Sequence, residues 1–394
     1  MQSPPGNSPL PPPEALAHSS ALLALLQQEI ARHGGRLPFD CYMELALYAP
    51  GLGYYVAGAR KFGAAGDFVT APEISPLFGR GLARQARQVL LGLGGGEVLE
   101  FGAGSGRLAL DLLGELERLG ALPDRYLILE LSPELRQRQQ ALLAEGLPHL
   151  LARMAWLEGL PAGFKGVMLA NEVLDAMPVH RFRQGAAGVE EQFVEAAGEG
   201  LRLVWGAALS PGLTEAVTAL EGALGQPFAV GYESEINLRL APWLAGLSEA
   251  LERGAAILID YGYPRREYYL PERYTGTLMA HYRHLAHGDP LRYPGLQDLT
   301  AHVDFSAVAA AGAAVGLELA GYTTQANFLL GCGLDELMAA ADPSDTAKYM
   351  DLVQGMKQLI LPTAMGERFQ VIAFQRGIDE PLLGFRLRDL WERL

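Results

Sequence analysis

Apolar residues recur at helical spacing from about Pro13 to His33 and again over Leu108–Leu119, so each stretch reads as a helix with one buried face. Between them, Phe39–Tyr48 predicts a short helix that the Ala49-Pro50-Gly51 break ends. A different pattern marks the strands. Val98–Phe101, Tyr126–Glu130, Gly166–Ala170 and Gly254–Asp260 are short apolar runs that lead into turns or helix starts, as buried parallel strands do. Val189–Val194 and Leu201–Trp205 predict a strand pair around Gly198-Glu199-Gly200, and a helix at Leu213–Leu224 then leads to Tyr232–Asn237. The chain closes with an edge strand at Leu317–Tyr322, a helical segment at Leu334–Ile360 and a last strand at Phe369–Phe374. Strands alternating with helices predict a doubly wound α/β domain.

The pattern also divides the chain. Residues 1–13 are expected to be a disordered tail, rich in proline and without a positive charge, so neither a signal nor a transit peptide is seen. Residues 14–80 form an N-terminal cap and lid segment. Residues 81–184 and 246–394 are the two parts of the main domain, and residues 185–245 are an insertion of the kind that sets a substrate.

Composition narrows the class. Of 394 residues 49% are hydrophobic and 19% charged, which fits a globular protein with ample core. A net charge of −14 makes the phosphate term of nucleic-acid binding repulsive, so no nucleic-acid partner is expected. No apolar run reaches the roughly 18 to 20 residues of a membrane span. Two cysteines, Cys41 and Cys332, form no disulfide framework or C-x-x-C site, and a reducing, cytoplasmic location follows.

The candidate chemistry centres on Glu100-Phe101-Gly102-Ala103-Gly104-Ser105-Gly106, where a strand passes through three alternating glycines into a helix. Glycines there let backbone approach a ligand, and the amides of the helix start face the same ligand. Such a turn is shared by dinucleotide-binding proteins, so an NAD-dependent oxidoreductase is one alternative. Glu130, ending the next strand, is placed to accept hydrogen bonds from ribose hydroxyls; N-capping together with Ser132 is the competing role. At Asn171-Glu172-Val173-Leu174-Asp175 a buried strand runs into a turn with two acids. Carboxylates there suit an arginine substrate, whose guanidinium they hold in bidentate ionic hydrogen bonds. An Asx cap at Asn171 beside solvated acids explains the same turn without chemistry.

The turn G-x-G-x-G behind Glu100 resembles motif I of class I methyltransferases that bind S-adenosylmethionine (SAM). Residues 38–55, 61–79 and 99–106, followed by 171–182, 260–263, 276–305 and 328–333, look like the SAM-dependent methyltransferase family once called DUF185. Mitochondrial members of that family are assembly factors of respiratory complex I that methylate an arginine of a core subunit. The resemblance implies a Rossmann-like, seven-stranded, mostly parallel sheet with an N-terminal helical cap and an inserted substrate region. It implies SAM as cofactor, held by Glu100, Gly102, Gly104, Gly106, Glu130 and Asn171, with Thr70 and Glu73 of the lid segment Asp67–Gly79. It implies a protein substrate, a respiratory-complex subunit among the candidates; a homodimer is a separate expectation for the chain. Glu172 and Asp175 occupy the stretch after strand four where protein arginine methyltransferases place their paired acids, at closer spacing than that pair.

Asp260, His302 and Asp304 are assigned to the substrate, with a structural acid at Asp260 and a helix cap at Asp304 as alternatives. His281, His284 and His287 recur every third residue but lack the H-E-x-x-H pattern and a nearby cysteine, so no metal is expected there. A non-catalytic, SAM-binding assembly factor is the second alternative for the whole chain.

Overall fold

The computed structural model describes residues 10–57 and 70–394. The tail 1–9 and the first part of the lid segment, through Val69, lie outside the described residues. The chain divides into two compact units, one of residues 69–174, 243–262 and 305–394 and the other of 1–68, 175–242 and 263–304. Residues 263–304, read from sequence as part of the main domain, thus group with the cap and the insertion.

The first unit is built on a sheet whose continuous path takes β1 (Glu97–Phe101), β2 (Tyr126–Leu129), β3 (Met154–Leu157), β4 (Phe164–Asn171), β5 (Leu251–Tyr263), β6 (Glu318–Thr324) and β7 (Phe369–Arg376) in the order β6-β7-β5-β4-β1-β2-β3. Neighbours from β5 through β3 run parallel. β7 runs antiparallel to both β5 and β6, the edge pair expected from the sequence. The strand order reverses between β1 and β4, and in open α/β sheets such a switch point, beyond the carboxyl ends of the strands, is where ligands bind.

Two glycines allow this sheet to close up at its other end. Gly254 of β5 lies opposite Gly166 of β4, and Gly166 opposite Glu97 of β1. A Cβ on Gly166 would fall 1.8 Å from the Glu97 carbonyl oxygen, and one on Gly254 would fall 1.9 Å from the Gly166 oxygen. Only the absence of a side chain permits both approaches.

The core forms where Leu77, Phe78 and Leu82 of helix Pro76–Leu93 and Leu108, Leu112 and Leu116 of helix Arg107–Arg118 meet Val98, Val167, Leu169 and Ile257. Ser75 starts the first of these helices by accepting a hydrogen bond from Leu77 N at 3.3 Å, and Gly94 ends it in the left-handed region. The helical segment expected over Leu334–Ile360 is two helices, Leu334–Ala339 and Thr346–Ile360. Pro343 cannot donate within a helix, and Asp345 caps the second by accepting from Lys348 N.

The second unit contains a five-stranded antiparallel sheet along the path Arg36–Pro38, Gly188–Ala197, His180–Gly185, Glu233–Ile236, with Gly200–Ala207 also pairing Gly188–Ala197. That last hairpin turns at Gly198, as its sequence predicts. Helix Pro13–Arg32 contributes Leu22, Leu26 and Ile30 to this unit's core, and helix Phe39–Tyr48 contributes Tyr42, Met43 and Leu47. A three-stranded sheet of Leu285–His287, Met279–Tyr282 and Asp298–Thr300 completes it.

Candidate functional site

The glycine turn follows β1. Gly102, Gly104 and Gly106 have φ of 61°, 53° and 87°, left-handed conformations in three of five consecutive residues. Side chains at these positions would be strained, which is why the sequence alternates glycine here. Gly106 N donates to Ala103 O at 2.8 Å and closes the turn against helix Arg107–Arg118. A Cβ on Gly106 would meet Gln139 Cα at 3.3 Å, so the helix Pro133–Gly146 packs directly on the turn. Ser105 accepts from Arg107 N at 3.3 Å and donates to Glu73. Glu73 belongs to the short helix Ala71–Ile74, which Thr70 precedes.

Two buried acids stand behind the turn. Glu100 accepts the Tyr126 hydroxyl at 2.6 Å, and burial pushes its carboxyl up to about 7, with nearby Glu130 adding to the rise and the Tyr126 bond opposing it. Glu130 accepts from Ser132 N at 2.9 Å and from Gln139 Nε2 at 3.0 Å. Burial raises its carboxyl above the ordinary range, and these two hydrogen bonds pull against that rise. The Leu131 backbone also donates to it, and since a carboxylate offers about four acceptor sites, the Glu130 oxygens retain capacity for one more donor. Ser132 also N-caps its helix through Leu135 N. Both roles considered for this stretch are therefore compatible.

Gln139 ties the arrangement together and was not singled out from the sequence. Fully buried, it donates to Gly104 O and to Glu130, and accepts from Trp156 Nε1 at 2.8 Å. Its signal in the sequence is faint: it sits on the buried stripe Leu135, Gln139, Leu143, a polar residue where the helix is otherwise apolar.

At the end of β4, Asn171 Nδ2 donates to Glu172 Oε1 at 3.1 Å, while the buried Asn171 Oδ1 receives no hydrogen bond among the described residues. Glu172 has φ 53°, the left-handed region for a residue with a side chain. Strain of this kind costs about 1–3 kcal/mol and collects at functional turns. Its amide donates to Ile259 O at 2.9 Å. Asp260, wholly buried at the end of β5, accepts from Leu174 N and from its neighbour Tyr261 N, both at 2.9 Å. Asp260 thereby holds the turn that carries Glu172.

The other candidates lie in the second unit. Buried Asp175 accepts from Ala301 N at 3.0 Å through its backbone oxygen, which brings the stretch after Asp175 to that before His302. His302 N donates to Thr277 Oγ1 at 3.0 Å, and its ring stands edge-on to Tyr263. Asp304 pairs with Arg265 at 3.1 Å. His281 lies on strand Met279–Tyr282 and His287 on Leu285–His287, with His284 in the turn between them. Burial lowers the pKa of both strand histidines.

A doubly wound sheet in this order, with a left-handed glycine turn at the switch point and a buried acid just after β2, is the architecture of a class I methyltransferase. The orphaned acceptor at Asn171 and the remaining acceptor site of Glu130 suit a ligand that brings hydrogen-bond donors such as an ammonium and a ribose hydroxyl. The chain belongs to the family described as "putative S-adenosyl-L-methionine-dependent methyltransferase", whose model matches residues 81–323. It is 32% identical over 367 residues to the mitochondrial protein arginine methyltransferase NDUFAF7 of Danio rerio, covering 84% of this chain and 81% of that protein. The human protein of the same name is 30% identical, over 84% of this chain and 78% of its own length. The crystal structure of a Burkholderia thailandensis protein bound to S-adenosyl-homocysteine superposes with a TM-score of 0.93 at 46% identity, covering 98% of this chain and 100% of that one. The chain is a SAM-dependent methyltransferase, and the oxidoreductase alternative falls away.

Proposed function

We propose that this methyltransferase transfers the methyl group of SAM to an arginine of a protein substrate, with Glu172 as the carboxylate that takes the guanidinium. The observation that carries the reading is the strained Glu172 turn at the carboxyl end of β4, held by Asn171 and Asp260. The relatives named as protein arginine methyltransferases support the same acceptor.

SAM supplies an electrophilic methyl on a sulfonium. The chain's own residues bind and orient. In this reading the glycine turn Gly102–Gly106 admits the cofactor against backbone, and Glu130 takes a ribose hydroxyl. Asn171 Oδ1 takes its ammonium, and Glu100, Thr70 and Glu73 complete the surroundings. Glu172 holds the guanidinium by a bidentate ionic hydrogen bond and so aims one nitrogen. That nitrogen would take the methyl as the carbon–sulfur bond breaks, leaving S-adenosyl-homocysteine, and would pass its proton to the Glu172 carboxylate and on to water. Asp260 positions the turn and stays proposed for the substrate side. Asp175 stays the second proposed acid, and His302 and Asp304 stay proposed for the substrate side, Asp304 with Arg265 already as its partner. A cytoplasmic enzyme acting on a respiratory-complex subunit, as a homodimer, is the finer form of the proposal.

The purified protein, incubated with tritiated SAM and a host lysate, is expected to label a protein whose modified residue is a methylarginine by mass spectrometry. Label on lysine or on a small molecule would overturn the acceptor, and no label in any fraction would favour the assembly-factor reading. Glu172→Gln is expected to cut turnover at least about 100-fold, the order of one lost electrostatic contact to the reacting group. Its affinity for S-adenosyl-homocysteine should stay within a few fold, and unimpaired turnover would remove Glu172 from the chemistry.

A further inference from the structure

In the second unit, Asp40 in the first turn of helix Phe39–Tyr48 meets His180, which opens strand His180–Gly185, and Glu191 of the neighbouring strand Gly188–Ala197. None of these three enters the methyl-transfer reading. All three are buried, and one ligand atom from each lies within 4.8 Å of the other two. His180 Nε2 stands 3.5 Å from Asp40 Oδ1. Asp40 Oδ1 and His180 Nδ1 make no hydrogen bond among the described residues, although both side chains are more than nine-tenths buried. Leaving such atoms unpartnered in the interior is costly.

The charges nearby do not balance. Asp40 Oδ2 accepts from Arg239 at 3.0 Å, and Arg239 also pairs with Glu44 at 2.7 Å. Asp40, Glu44 and Glu191 therefore set three negative charges against the positive charge of Arg239. Glu191 has room for one more partner. Its oxygens accept from Leu209 N, Ser210 N and Ser210 Oγ, three of about four acceptor sites.

We propose that Asp40, His180 and Glu191 bind one divalent first-row transition ion of the zinc or manganese kind, tying helix Phe39–Tyr48 to strands His180–Gly185 and Gly188–Ala197. Two carboxylate oxygens and a neutral imidazole nitrogen are the donor set that such borderline ions take, with water filling the remaining positions. The ion would neutralise the surplus charge and occupy the orphaned acceptor of Asp40. This site stands apart from the methyl-transfer proposal and is tested without it.

The full chain, stripped with a chelator and titrated with Zn2+ at pH 7, is expected to bind one equivalent and to melt at higher temperature when loaded. X-ray absorption of the zinc-loaded wild type should show oxygen and nitrogen neighbours with one imidazole. Asp40→Asn and His180→Gln should each weaken binding at least about tenfold. The absence of stoichiometric binding, a first shell with sulfur or several imidazoles, or unchanged affinity in both variants would overturn the site. Should either variant fail to fold, the wild-type titration and spectrum decide alone.

Discussion

Glu100 shows how far one residue's surroundings redirect its chemistry. The sequence places an acid before the glycine turn, and the structure buries it against the Tyr126 hydroxyl with a pKa near 7 in place of 4.5. Between those values the folded protein keeps a proton that the unfolded chain has released, so stability falls as pH rises from about 4.5 to about 7. The shift corresponds to about 3 kcal/mol. Glu100→Gln keeps a hydrogen-bond acceptor for Tyr126 and removes the titration. In denaturant unfolding of cofactor-free protein, the variant is therefore expected to gain on the wild type steadily over that window. A constant difference from pH 5 to pH 7.5 would reject the assigned pKa. Glu172 belongs to the same scale, since its left-handed φ is invisible in a sequence that offers no glycine there to announce it.

At the level of elements, glycines serve two different ends, and substitution separates them. Gly254→Ala sets a Cβ into the Gly166 carbonyl on the neighbouring strand. The backbone must shift to admit it, and overpacking of this kind costs about 1–3 kcal/mol, with the positive φ of 137° adding to it. A clear fall in melting temperature is expected. Gly104→Val lies in the turn and should act on binding more than on folding. Its affinity for S-adenosyl-homocysteine is expected to drop at least about tenfold, with a smaller change in melting temperature than Gly254→Ala. The reverse ranking would contradict the roles given to the turn and the sheet. Gln139 joins turn, acid and Trp156, and Gln139→Leu is a third element-scale test. It leaves Trp156 Nε1 and Gly104 O without their partner while filling the same space.

For the whole molecule, ligand binding gives the readout. S-adenosyl-homocysteine at a hundred times its dissociation constant should raise stability by about 2.7 kcal/mol, because it binds the folded state alone. Hydrogen exchange should slow at Gly102–Arg107 and at Glu130–Gln139. Protection that avoids both segments would move the cofactor site elsewhere.

Much of this architecture was legible in the chain. The periodicity gave the helices Pro13–Arg32 and Leu213–Leu224 and the strand runs of β1, β2, β4, β5, β6 and β7, because burial of one face or of both leaves a spacing of its own. The alternating glycines announced the turn, because only glycine adopts three left-handed residues in five without strain. Spacing says nothing of partners brought from far along the chain. Asp260 reads from the sequence as either an active-site acid or a structural one, and its bond to Leu174 N, 86 residues away, is not visible there. Asp40 and His180 sat inside motifs that marked the family and gave no hint that they meet Glu191. The grouping of residues 263–304 with the cap was equally hidden, since it depends on which strands pair. Local backbone preference and hydrophobic period fixed the elements and the cofactor turn. Long-range packing alone decided which polar side chains share a buried space, and so which acids titrate, which position a turn and which await an ion.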